Sequence, residues 1–390
     1  MTISDSQTIP AVRYHYMDNL RALAMLLGIF FHAAIAYSPM FQEVWLPANS
    51  STSLAMDAVA WFTHLFRMPL FFLIAGFFTC YMIEKRGIGG LLKNRALRIA
   101  LPFIIFLPLI TVSFIVLIGW ALANVDNPSP ILQFIAMMAN VPDAPKPPPS
   151  TTHLWFLYNL VQFYLIYALL HHFGVLSMRW TNILGNSKFV VFILPLLMGP
   201  ALFSQSSPYP APEQFLPQLW SFGYFGLFFL LGSHLFKNQS LIDTVKPYAP
   251  WLLLSSIVMY VFVYRDFPGT ISLQEALAFQ GGPPPSWPHL GIAILEAYIS
   301  VHMTIVCLVA GKALLDKANA VFRYIADSSY WVYIIHLPVL WAIQFKLLDT
   351  DWNLWVEFAI ASFGTLLIGF ITYVVLVRYT PIGWMLNGKR

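Results

Sequence analysis

The residues best equipped for chemistry in this chain lie inside its apolar stretches, where an ionisable side chain is costly and marks either function or a buried partner. Arg21 and His32 stand eleven residues apart in the first such stretch. On an α-helix that spacing returns to within about 20° of the same direction, with roughly 16 Å between the two along the axis. Asp18 falls within about 40° of the same face. One stripe therefore carries a carboxylate and a guanidinium near one membrane surface and an imidazole deeper in. Imidazole titrates near pH 6.5, so His32 suits a general base at neutral pH. The plainer alternative is that Asp18 pairs with Arg21 while His32 bonds a backbone carbonyl.

Further groups follow along the chain. His64 and Arg67 precede the run Pro69-Leu70-Phe71-Phe72; Arg67 either snorkels to the outer interface or projects into a polar interior. Arg95 and Arg98 at i, i+3 form a fork suited to phosphate, or else a headgroup-level anchor. His153 and Trp155 open a later apolar run at the outer surface, where Trp155 fits an aromatic belt. Glu296 sits among apolar neighbours with Ser300 one turn away. An unpaired carboxylate there would be very expensive, so it must face a wet cavity or meet a buried histidine or arginine. Ser329, Tyr333 and His336 share a helical face, as a site or as interhelical glue. The two cysteines, Cys80 and Cys307, both lie in apolar runs, so neither a disulfide framework nor a metal centre is expected. No basic stripe with interleaved aromatics suggests nucleic acid.

The elements that must position these groups follow from composition. The chain is 58% hydrophobic and only 10% charged, with mean hydropathy +0.69, whereas a soluble domain carries about 25% charged residues. That excludes a soluble multidomain enzyme, and the unbroken apolar runs exclude a porin-type barrel. An all-α, polytopic transmembrane bundle is expected, forming one domain over residues 1–390. About ten runs approach the roughly 20 residues a spanning helix needs: Met17–Ser38, Ala58–Ile83, Ile99–Leu122, His153–His171, Phe189–Phe203, Leu219–Phe236, Trp251–Tyr264, Gly291–Leu315, Tyr330–Leu347 and Leu354–Val377. With both termini inside, only Arg67, Lys146, Arg265 and Lys346 of the 21 Lys and Arg fall outside. The positive-inside rule then favours N-in and C-in. The first run, ending in Ala34-Ile35-Ala36, imitates a cleavable secretory signal, but Asp18, Arg21 and His32 argue that it stays as a span. Proline-rich outer segments around 142–149, 208–217 and 283–285 read as stiff connectors, or alternatively as a lip around an outward-facing site. No internal repeat of the two halves is visible, which weakens a transporter reading.

Taken in order, these motifs resemble the acyltransferase-3 family of integral membrane acyltransferases. The resemblance rests on Arg21-x10-His32, Arg95-x-x-Arg98 and the Ser329–His336 segment. Asp18-x-x-Arg21, Leu65-Phe66-Arg67-Met68 and Thr152–Leu157 further resemble members of that family that modify periplasmic glucans. The resemblance spans nearly the whole chain. It implies a bacterial inner-membrane enzyme that moves an acyl group, succinyl foremost, from cytoplasmic acyl-CoA to a hydroxyl of a periplasmic glucan or related envelope saccharide. It implies His32 as the base, with Asp18, Arg21 and Glu296 beside it. Arg95, Arg98, Arg67, Tyr333 and His336 are then expected along the donor path, and His153 and Trp155 near the acceptor. Membrane lipid is the expected surrounding. The alternatives are another acceptor, such as lipopolysaccharide or peptidoglycan, or a proton-coupled transporter or flippase in which His and Glu relay protons.

Overall fold

The computed structural model describes residues 14–143, 148–177, 179–278 and 286–388. Residues 144–147 of the first proline-rich segment, the prolines at 283–285, and Arg13, Lys389 and Arg390 lie outside the described residues. The described chain is helical, and a single antiparallel bridge between Ser150 and Gln214 is its only β-type pairing. The helices are α1 (His15–Ile35), α2 (Leu54–Arg95), α3 (Leu101–Asn124), α4 (Pro130–Met138), α5 (Trp155–His172), α6 (Leu194–Phe203) and α7 (Leu219–Lys237). They continue with α8 (Ser240–Val245), α9 (Ala249–Asp266), α10 (Leu273–Ala278), α11 (Trp287–Leu314), α12 (Ala320–Leu347), α13 (Leu354–Thr372) and α14 (Pro381–Asn387).

Among the described residues, seven helical segments are long and apolar enough to cross a membrane. One of them, Leu54–Asn124, spans 71 residues across a break at Gly87 and contains both the second and the third of the ten expected stretches. The fifth, Phe189–Phe203, is apolar but shorter, and α12 is not among the seven. The reason is visible in the sequence of α12: His336 and Gln344 dilute its hydropathy, and both are buried inside the bundle rather than turned to lipid.

Local chemistry sets the bends that matter. Ser53 caps α2, its hydroxyl accepting from the Met56 N–H at 3.3 Å. Gly87 breaks the helix with φ 66, a left-handed conformation that suits glycine. The short rod beyond it carries Arg95 and runs into a π-helical turn, Ala96–Ala100, that carries Arg98. Helix α2 packs most extensively on α7. Gly76 and Gly232 let the two backbones touch, since a Cβ on either would overlap a carbonyl of the opposite helix, Phe229 and Leu73 respectively.

Helix α1 is flanked by α2, α11, α12 and α13. Its N-terminal end is tied to the α11–α12 connection: Asn19 Nδ2 donates to the Leu315 carbonyl at 2.8 Å, and the Tyr16 N–H to Asp316 Oδ1 at 3.3 Å. Near its other end Gln344 Nε2 donates to the Ala33 carbonyl at 3.1 Å. The stripe bearing Arg21 and His32 is thereby fixed against α12 at both ends.

Candidate functional site

Two prolines inside membrane helices build the frame of the site. Proline has no N–H, so the carbonyl four residues earlier loses its helical partner and must find another in a water-poor interior. Pro69 frees the carbonyl of Leu65, and three hydroxyls converge on it: Ser300 at 2.6 Å, Tyr209 at 3.2 Å and Tyr224 at 3.4 Å. That one oxygen joins α2, α7, α11 and the loop before α7. Pro338 frees the carbonyl of Ile334, and His153 Nε2 donates to it at 2.9 Å.

Around these anchors lies a chamber of about 80 Å³ lined by His32, His64, Arg67, His153 and His336, with Gly28 in its wall. The His32 and His336 ring centroids are 5.3 Å apart, and those of His153 and His336 are 5.1 Å apart. A carbonyl only accepts, so partners assign the tautomers. His64 donates from Nε2 to the Tyr209 carbonyl at 3.0 Å, and His153 likewise to Ile334. His336 donates from Nδ1 to the Tyr333 carbonyl at 2.6 Å. His32 differs in making no hydrogen bond to the backbone: its Nδ1, like those of His64 and His153, is buried without a partner, and its ring lies 6.3 Å from that of Trp45 at an interplanar angle of 9°. Three of the four imidazoles are held in one orientation by the backbone, while His32 stacks beside Trp45. Although four histidines converge, no group of three or more His, Cys, Asp or Glu among the described residues is arranged to hold a metal ion.

A second cavity, about 360 Å³, meets the chamber at Met25, Phe71, Phe156 and Tyr333, which line both. Its far end carries Arg21, Arg95 and Arg98. Arg95 lies over the Tyr164 ring at 4.8 Å, with its Nε buried and unpartnered. The Arg98 backbone carbonyl accepts from the Tyr330 hydroxyl at 2.8 Å, which pins the π turn to α12. Arg98 also lines an open vestibule with Arg86 and Lys93. Both arginines of the expected fork line this cavity, and Arg98 also borders the vestibule.

The structure brings together His32, Arg67, His153, Trp155, Tyr333 and His336 at the chamber, and Arg21, Arg95 and Arg98 at the cationic end. Asp18 pairs with Arg21 at 3.3 Å, as the plainer alternative had it. Glu296 is the clear departure. It is 1% exposed and accepts from Ser207 Oγ at 2.8 Å, and it lines neither cavity. Its carboxyl meets a loop hydroxyl instead of His32, because its face of α11 is turned to the segment before α7. His153 and Trp155 are both buried at the chamber, next to the 3-10 turn at Thr152–Leu154, so Trp155 is not an outer-belt residue. That turn is held by the Thr151 N–H and hydroxyl, both donating to the Glu213 carbonyl at 2.8 Å.

The proline segment 208–217 corrects the stiff-connector expectation. Tyr209 is 1% exposed and inserts beside His64, at 4.8 Å between centroids, and Ala211 lines the chamber. This segment packs against the chamber, the Tyr209 hydroxyl lying 3.1 Å from the His64 carbonyl and 3.2 Å from that of Leu65. Trp45 and Tyr209 were not singled out from sequence, since neither sits on a periodic face. His64 did carry a signal, lying one turn before Arg67.

Known proteins align with this picture. The family model described as an acyltransferase domain matches residues 14–374. Glucans biosynthesis protein C of Escherichia coli strain K12 is 23% identical over 98% of this chain and 96% of its own length, and the protein of that name from Escherichia coli O139:H28 is equally similar. A search of solved structures finds no match. With the family match covering all but the chain ends, and with buried histidines meeting a cationic cavity inside a bundle of apolar helices, this chain is a multi-pass membrane acyltransferase of the acyltransferase-3 family.

Proposed function

We propose that the protein transfers an acyl group, succinyl foremost, from cytoplasmic acyl-CoA to a hydroxyl of a periplasmic glucan or related envelope saccharide in the bacterial inner membrane. The observation that carries this reading is the junction of the two cavities at Tyr333, which puts a cationic cavity and a histidine chamber on one path. The cationic end at Arg95 and Arg98 suits the phosphates of coenzyme A. The pantetheine arm would run along the aromatic walls and bring its thioester to the chamber. His32 takes the proton of the acceptor hydroxyl. The acceptor is suggested by the name of the Escherichia coli relatives, glucans biosynthesis protein C. Mass spectrometry of periplasmic glucans from cells with and without this protein tests donor and acceptor together. A gain of succinyl mass is the expected result, and glucans of unchanged mass would remove this acceptor.

Ten crossings with both termini cytoplasmic complete the reading, supported by the uneven placement of Lys and Arg. Reporter enzymes active only in the periplasm should be silent when fused after Arg86 or at Arg390. Activity at either junction would overturn this topology.

The proline frame gives a subtler expectation. Alanine in place of Pro338 supplies an N–H that reclaims the Ile334 carbonyl and takes it from His153. Pro338→Ala should leave the melting temperature unchanged or raised, while transfer falls several-fold through a loosened His153. A variant equally active and equally stable would mean that the orientation of His153 does not matter.

A further inference from the structure

We propose that Arg67 is the oxyanion-binding group of this enzyme, its free N–H edge held ready for the negative charge that forms on a thioester carbonyl under attack. The inference rests on the acyl-transfer reading above and adds to it a residue that acts on the reacting atoms.

Arg67 is only 5% exposed and points into the chamber with His32. One face of its guanidinium is covered by the Phe31 ring, 4.6 Å from the centroid. Its Nε and Nη1 are buried and have no hydrogen-bond partner. No aspartate or glutamate lines the chamber among the described residues. A freed carbonyl does lie two residues earlier, at Leu65, but hydroxyls from three other elements occupy it. An arginine kept for structure would take such an acceptor. A buried cation without a counter-charge costs several kcal/mol; the Phe31 face offsets part of that cost, and an anion arriving in the chamber would offset more. Donors fixed in a water-poor site before the charge appears are the arrangement that stabilises a transition state more than a ground state.

The acceptor hydroxyl oxygen bonds to the thioester carbon while His32 takes the hydroxyl proton. The carbonyl electron pair moves onto oxygen, where Arg67 Nε–H and Nη1–H donate to it. When the C=O re-forms, the C–S bond breaks and the leaving sulfur takes the proton back from His32. The products are an ester and free coenzyme A thiol.

Gly28 supplies a second handle. A Cβ at that position would sit 3.1 Å from Arg67 Nη1, so Gly28→Ala shifts the fork without removing its charge. The experiment is steady-state kinetics of purified protein with acetyl-CoA and succinyl-CoA and a glucan acceptor. Arg67→Gln should lower kcat by ~100-fold or more, the scale of losing an oxyanion donor, with donor KM within about threefold. Arg67→Lys should fall between, Gly28→Ala should lose several-fold in kcat, and both donors should suffer alike. Wild-type kcat in Arg67→Gln overturns the proposal. So does a loss confined to KM, or one confined to succinyl-CoA, which would make Arg67 a binder of the substrate carboxylate. If Arg67→Gln does not fold, Gly28→Ala decides, and an unchanged kcat there overturns it. A wild-type protein that transfers no acyl group overturns the acyl-transfer reading and this inference together; active wild type with an unaffected Arg67→Gln overturns this one alone.

Discussion

His32→Gln should insert and bind donor normally yet transfer acyl groups at least ~100-fold more slowly, the scale general-base loss commonly costs, or about 2.7 kcal/mol of barrier. Glutamine retains hydrogen bonding and removes the basic nitrogen, so it separates chemistry from scaffolding. Among the four imidazoles of the chamber, His32 is the one with no hydrogen bond to the backbone. His64 and His153 have Nε2 committed to backbone carbonyls, and His336 has Nδ1 committed to Tyr333. His32 Nδ1 carries no such bond. If His32 only fills space beside Trp45 and His336, glutamine should keep most of the activity and His32→Ala should lower the melting temperature. A well-inserted His32→Gln protein working near the wild-type rate would end the proposal. His336, 5.3 Å away and with Nε2 uncommitted, would then be the next candidate.

The double variant Arg95→Ala, Arg98→Ala should raise the KM for acyl-CoA by on the order of 10- to 100-fold while turnover at saturating donor stays close to wild type. Hydrogen bonds to charged groups are worth about 1.5–3 kcal/mol each, and these two guanidiniums stand at the far end of the cavity from His32. Loss of binding that is equal in ground and transition states appears in KM rather than kcat. The single variants should differ. Arg98 stands at the junction with the vestibule and Arg95 inside the cavity against Tyr164, so their losses should add only in part. Unchanged donor affinity in the double variant would reduce both to membrane anchors. Raising the salt concentration offers an independent check, since contacts to phosphate in an open vestibule are screened.

Much of the molecule was legible before any coordinates. Each of the ten apolar stretches falls on helix. The Arg21–His32 stripe lies along α1, and the face shared by Ser329, Tyr333 and His336 turns inward as the spacing required. Helical periodicity is a local property, and a chain this apolar has few other ways to satisfy its backbone in lipid. The family resemblance was legible for the same reason, because its motifs are short and lie within single elements.

Tertiary structure decided the rest, and in each case the cause is a contact between distant segments. Glu296 was isolated in sequence and had to find a partner; that partner is Ser207 rather than His32, which periodicity along α11 could not say. Arg67 had two equal destinations, the interface or the interior. Packing against Phe31 and Gly28 of α1 placed it inside. The proline segment before α7 read as a spacer because its composition forbids helix, yet composition is silent on what a loop touches. Tyr209 inserts with its hydroxyl against the His64 and Leu65 carbonyls of α2 and its ring beside His64. Composition, periodicity and charge placement thus determined that this chain is a helical membrane protein with buried imidazole and guanidinium groups. Which of those groups meet in one chamber depended on orphaned backbone carbonyls and close helix contacts, and such forces act between segments that lie far apart in sequence.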